Sequence, residues 1–148
     1  MPLRKYLSLG KRWVLERCNL LLKAVFSRLP IQNRVFFYSI RADGKLLENS
    51  RCVYDALGDV QKVVVARMLP HPVLLKPKIY YYLLTSRVIV TDDYLRYLRH
   101  TRLRAGQKVV QIWHACGAFK HFGLDAPSLL TPQEEKLTHC QYAAVCVS

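Results

Sequence analysis

Apolar residues recur at helical rather than extended spacing along the first stretch of the chain. Leu3, Leu7, Val14, Cys18, Leu21, Val25 and Leu29 follow one another at three-, four- and seven-residue steps. On a helical wheel they form one stripe, with Leu22 beside it. Lys5, Arg12, Glu16, Asn19 and Lys23 fall on the opposite side, and Arg4, Lys11, Arg17 and Arg28 flank the stripe. Such flanking side chains can lay their stems on apolar surface while their charges stay wet. The pattern predicts a basic amphipathic helix over residues 1–30, ending before Pro30. Three uses of it stay open: docking on an anionic membrane surface or a partner, packing on the chain's own core, or gripping nucleic acid.

After Pro30 the rhythm changes to short apolar runs separated by helical or turn-rich segments. Strands are expected at Arg34 to Ile40, Gln61 to Ala66, Arg87 to Thr91, Lys108 to Trp113 and Gln141 to Val147. Helices are expected from Asn49 or Ser50 (as cap) through Leu57, near Lys78 to Ser86, and from Thr131-Pro132 onward. In the first of these, Cys52, Val53, Ala56 and Leu57 are expected to face inward. A basic helix or helical turn is expected from Tyr94 to Arg104, and Pro70, Pro72 and Pro77 are expected to break up a loop. Strands apolar on both faces and separated by helices predict an α/β, Rossmann-like parallel sheet with helices on both faces. Neither G-x-G-x-x-G nor a P-loop is present, so neither a dinucleotide site nor a Walker-type site is supported.

Composition narrows the picture. The chain has 148 residues, enough for a core, and 51% are hydrophobic, which excludes a disordered polar chain. Its net charge of +13 favours polyanionic partners without choosing among nucleic acid, anionic lipid and phosphorylated substrates. Five cysteines without a C-x-x-C pair read as reduced thiols. A zinc set drawn from His114, Cys116, His121 and Cys140 lacks the paired short spacings of structural zinc sites, and no metal is expected.

The segment richest in chemistry is KVVQIWHACGAFKHFG, residues 108–123. An apolar strand delivers His114 where it runs out, a turn containing Gly117 follows, and Lys120 and His121 come next. Placing reactive side chains at the carboxyl ends of strands is how open α/β sheets build ligand sites. By the same reasoning Asp92 and Asp93, at the end of the third strand, are candidates for the same cleft, although aspartates there also serve as ordinary helix caps. Gln111 is expected to be a core hydrogen-bonding residue and Trp113 a core residue.

Three blocks in this order resemble the CDP-glycerol glycerophosphotransferase family of teichoic-acid polymerases and primases. They are NSRCVYDAL at 49–57, SRVIVTDDY at 86–94 and QIWHACGAFKHFG at 111–123. The resemblance runs from about Arg34 to Ser148, and W-H-x-x-G-x-x-K-x-x-G is its specific part. Where the family reads W-H-G-T, Ala115 and Cys116 follow His114 here. The resemblance implies the amino-terminal, acceptor-side half of a two-domain GT-B glycosyltransferase. Residues 31–148 would form that half, truncated before the donor-binding domain, and the fragment alone would be inactive.

The implied reaction transfers glycerol phosphate from CDP-glycerol to a hydroxyl of a lipid-linked polyol-phosphate acceptor, releasing CMP. The donor would be held through the missing half, with no cofactor. The implied roles are His114 as base, Lys120 and His121 as phosphate neutralisers, Gly117 as the close turn and Asp92 as a substrate contact. The implied location is cytoplasmic, peripheral on the inner face of the cell membrane. Two alternatives stand beside this: a related sugar- or polyol-phosphate transferase with another donor, and a non-enzymatic basic domain binding membrane or nucleic acid. Against nucleic acid, no binding motif is present, and Phe36, Phe37, Tyr80, Tyr81 and Tyr82 sit in apolar runs rather than on a basic stacking platform.

Overall fold

A computed structural model describes residues 3–41, 43–69, 75–112 and 141–146. Five strands form one parallel sheet: β1 (Gln32–Ser39), β2 (Lys62–Ala66), β3 (Ser86–Thr91), β4 (Lys108–Ile112) and β5 (Tyr142–Cys146). Their order across the sheet is β2-β1-β3-β4-β5. Helices α1 (Leu3–Phe26), α2 (Glu48–Ala56) and α3 (Leu75–Thr85) and a short 3-10 helix at Arg96–His100 complete the described elements. The expected α/β Rossmann-like sheet is therefore present, with each expected strand displaced by no more than two residues at either end.

Strand alternation sends side chains to two separate cores. Phe36, Tyr38, Ile89 and Val109 face α3, where Ile79, Tyr80 and Leu83 complete one cluster. Val35, Phe37, Val90 and Ile112 face the other way and pack with Val53, Tyr54 and Leu57 of α2 and its end. Burial on both faces explains why these strands read as continuous apolar runs.

Several local expectations are corrected. The cap of α2 is Leu47, with no side-chain capping bond, so neither Asn49 nor Ser50 caps it. Val53 and Leu57 turn inward as expected, but Cys52 and Ala56 are exposed; Tyr54 supplies the third inward contact. Pro77 lies inside α3 rather than in the preceding loop. The first turn of a helix tolerates proline because its N–H groups have no intrahelical acceptor.

The largest correction concerns α1. Among its described side chains the stripe points outward: Val14, Leu21 and Val25 are 52%, 67% and 56% exposed, and Cys18 is exposed as well. Leu29, beyond the helix end, is half-buried. The helix docks instead through the side that looked polar. Phe26 meets Tyr81 edge-on at 5.5 Å, and the Lys23 ammonium lies 5.2 Å from the Tyr80 ring centre. Burial lowers the Lys23 pKa. Packing of the stripe on the chain's own core is therefore excluded at Val14, Cys18, Leu21 and Val25. Arg28 caps the helix by donating to the Ala24 carbonyl at 2.7 Å. Arg104 donates to the Leu29 carbonyl and so pins the chain where it enters β1.

At the amino-terminal edge of the sheet, β1 carries one extra residue relative to β3 between the pairs Gln32–Ser86 and Val35–Val88. This bulge accompanies an unusual core residue, Arg34, which is only 5% exposed. Its guanidinium donates to Ser86 Oγ at 3.0 Å, to Gln32 Oε1 at 2.7 Å and to Thr85 Oγ1. It also lies 5.0 and 4.6 Å from the ring centres of Tyr81 and Tyr82. No carboxylate among the described residues forms an ion pair with it.

Candidate functional site

The strand order places a topological switch point between β1 and β3. From β1 the chain moves outward to β2 through α2, then returns through α3 to the other side of β1. The two connections occupy opposite faces of the sheet. The connections diverge at the carboxyl ends of β1 and β3, the place where open α/β sheets bind ligands.

Polar residues gather at this edge because each strand exhausts its apolar run there. Tyr38 pairs with Thr91, which brings Ser39 level with Asp92. Ser39 is fully buried and Asp92 is 4% exposed. The Ser39 hydroxyl donates to Asp92 Oδ2 at 2.5 Å and accepts from the Arg41 amide at 3.2 Å. Asp93 takes the outer position. Its Oδ2 lies 2.5 Å from Arg41 Nη2, and its Oδ1 accepts from the Tyr94 amide at 2.6 Å. The Leu95 amide donates to the hydroxyl of Tyr142 on β5, tying the loop after β3 to the far side of the sheet.

Burial raises the Asp92 pKa above the ordinary carboxylate value. The Ser39 hydrogen bond opposes that shift, and the negative charge of Asp93 reinforces it. A carboxyl with raised proton affinity at a cleft edge can hold a proton or accept a hydrogen bond from a substrate hydroxyl. Its neutral form is favoured in the folded state. The associated stability is therefore complete below the ordinary carboxylate pKa and is lost as pH rises through the folded value. Asp92→Asn is accordingly expected to gain stability relative to the parent as pH is raised from about 3.5 to about 7. Parallel melting curves across that range check this; a difference that stays flat or reverses would count against the raised pKa.

Of the sequence-predicted site residues, Asp92 is placed at this edge. His114, Gly117, Lys120 and His121 lie outside the described residues. Strand β4, which precedes them in sequence, ends at Ile112 on the same carboxyl edge. Gln111 is buried, as expected. Ser39, Arg41 and Arg67 were not anticipated. The available signal was a lone serine closing the apolar run RVFFYSI, with an arginine two residues on. Among the described residues no cluster of metal-ligating side chains is present.

A parallel sheet covered on both faces, with acid, hydroxyl and guanidinium groups at its switch point, defines a Rossmann-like α/β unit. Within that class the chain belongs to the CDP-glycerol:poly(glycerophosphate) glycerophosphotransferase family, which matches residues 21–146. It is similar to the teichoic acid ribitol-phosphate primase of Bacillus spizizenii, with 32% identity over 112 residues, 68% of this chain and 28% of that protein. It is also similar to the teichoic acid poly(ribitol-phosphate) polymerase of the same organism, 36% identical over 69 residues, covering 46% of this chain and 11% of the relative. A third relative is the teichoic acid glycerol-phosphate primase of Bacillus subtilis, 40% identical over 48 residues, covering 32% and 13% of the two chains. The chain thus matches between 11% and 28% of the length of these relatives.

Proposed function

We propose that the protein carrying this chain transfers glycerol phosphate from CDP-glycerol to a hydroxyl of a lipid-linked polyol-phosphate acceptor in teichoic-acid synthesis, releasing CMP. The family match over residues 21–146 is the observation that carries this reading. The described half contributes the acceptor-side sheet and the Ser39–Asp92–Asp93–Arg41 edge. His114 acts as the base that removes the acceptor hydroxyl's proton. Lys120 and His121 neutralise phosphate charge, and Gly117 lets the loop turn closely around the ligand. The donor is held by a second half. A second reading keeps the reaction but exchanges the donor: two of the three relatives named above are ribitol-phosphate enzymes.

The work is placed on the inner face of the cell membrane. The outward Val14–Cys18–Leu21–Val25 stripe, flanked by exposed Arg17 and Arg28, supports attachment to an anionic surface. No helix among the described residues is long and apolar enough to cross a membrane. One experiment addresses donor and location together, using the protein that joins this chain to its donor half. CMP release is followed with acceptor presented on anionic or neutral vesicles. Turnover with CDP-glycerol is expected to exceed that with CDP-ribitol, and anionic lipid is expected to raise it in a salt-sensitive way. Preference for CDP-ribitol would select the second reading. Equal rates on both vesicle types would remove the electrostatic attachment.

A further inference from the structure

Two arginines follow neighbouring strands at the carboxyl edge of the sheet, each paired with an aspartate from an adjoining loop. Arg41 follows the end of β1 and meets Asp93 beyond β3. Arg67 follows the end of β2 and lies 3.6 Å from Asp43, in the loop after β1. The two loops are locked together. The Arg67 amide donates to the Ser39 carbonyl, the Gly44 amide to the Ala66 carbonyl, and the Met68 amide to Asp43 Oδ1 at 2.8 Å. Gly44 takes a φ of 76°, which glycine adopts without strain and which lets the loop fold back onto β2. The arginines thus leave the ends of neighbouring strands from a braced backbone.

Neither ion pair is buried. The Arg67 and Asp43 side chains are both about half exposed, and Arg41 is about a third exposed. Exposed pairs of this kind contribute only ~0–1 kcal/mol. A phosphate that meets a guanidinium through two parallel hydrogen bonds is a stronger partner than a solvated carboxylate. Neither aspartate pair therefore strongly opposes a phosphodiester as a competing partner. Beside Arg67, Met68 and Leu69 are exposed, giving the row an apolar border against which a polyol backbone can lie. The row runs across β2 and β1 toward Asp92, and the net charge of +13 draws a polyanion toward the surface.

From these observations we infer that Arg41 and Arg67 form a subsite for the phosphodiester backbone of the polyol-phosphate acceptor, with Asp93 and Asp43 standing in for phosphate when the subsite is empty. This inference rests on the transfer reading above and adds to it a path for the acceptor chain along the sheet edge. A nucleic acid or a phospholipid surface offers similar phosphate chemistry, but the family match favours a polyol phosphate.

The test uses the 148-residue chain and a lipid-free oligo(glycerol phosphate), with binding read by calorimetry. Arg41→Gln with Arg67→Gln is expected to weaken binding about a hundredfold, roughly tenfold for each guanidinium. Arg41→Lys with Arg67→Lys is expected to recover only part of it, because an ammonium lacks the planar fork. Arg51→Gln with Arg87→Gln removes the same charge from exposed positions elsewhere and is expected to cost less than about threefold. Circular dichroism of each variant confirms an unchanged fold.

An equal loss in the Arg51/Arg87 pair would reduce the effect to diffuse charge and overturn the subsite. Failure of the parent chain to bind the oligomer would overturn it as well. So would tighter binding of single-stranded DNA or of anionic vesicles through the same two arginines. In the full two-half protein, an unchanged KM for acceptor in the Arg41/Arg67 glutamine variant would sink the subsite while leaving the transfer reaction intact. Absence of turnover in the unaltered protein would sink the transfer reading instead.

Discussion

Replacing His114 with alanine in the protein that joins this chain to its donor half is expected to lower CMP release by about 10²- to 10⁴-fold, the range general-base catalysis supplies. The argument begins with the acceptor. A polyol hydroxyl is a poor nucleophile at neutral pH and must lose its proton as the phosphorus–oxygen bond forms. Imidazole is suited to take it because its unperturbed pKa lies near neutrality. His114 follows Ile112, the last residue of β4, by two positions, and β4 runs parallel to β1 and β3, whose carboxyl ends carry Ser39 and Asp92. The loss should fall on kcat, with the KM for CDP-glycerol nearly unchanged, because in the proposed reaction the base acts on the acceptor and not on the donor. The acidic limb of the rate-versus-pH profile should also disappear in the variant. Parent-like turnover, or a profile that keeps its acidic limb, would remove His114 from the proton transfer.

Arg34→Ala is expected to be the most destabilising single substitution among the described residues, lowering unfolding free energy by about 3 kcal/mol or more. It deletes three charge-assisted hydrogen bonds and the stacking on Tyr81 and Tyr82. It also leaves Ser86, Gln32 and Thr85 facing a cavity. The site joins the first turn of β1 to the end of α3 and the start of β3, so its loss loosens three elements at once. Arg34→Lys keeps the charge but cannot reach three acceptors in one plane, and a loss of about 2 kcal/mol is expected. A typical domain has only ~5–15 kcal/mol in total, so either change should move the urea midpoint plainly. An Arg34→Ala midpoint within about 0.5 kcal/mol of the parent would show that the guanidinium is not a structural pin.

The proposed site at the carboxyl edge and the structural pin at the amino edge thus occupy the two ends of the same strand. Arg34 opens β1 among neutral acceptors and aromatic rings. Ser39 closes it beside a carboxyl whose burial favours the protonated form. A carboxyl whose burial raises its proton affinity at such an edge marks a candidate site.

The sequence made the strands legible because burial on both faces leaves uninterrupted apolar runs such as VFFY and VVV. It also marked Asp92 and the 108–123 segment, since a polar residue closing an apolar strand is a local signal. Orientation was not legible. The heptad-like stripe of α1 says that one face is apolar but not whether that face turns inward. Phe26 and Lys23, with the tyrosines of α3 opposite them, decide that it turns outward. The cap of α2 and the place of Pro77 were misread because capping and first-turn tolerance depend on where the preceding loop ends.

What the amino-acid order determined by itself was the α/β alternation, the basic character and the motif that ties the chain to its family, all of them encoded in residues near one another along the chain. Only the tertiary structure decided that Ser39 meets Asp92, that Arg41 meets Asp93 and that Arg34 lies against two tyrosines. Those pairs are separated by about fifty residues and exist only because β3 lies beside β1 in register, a long-range pairing that no local pattern specifies.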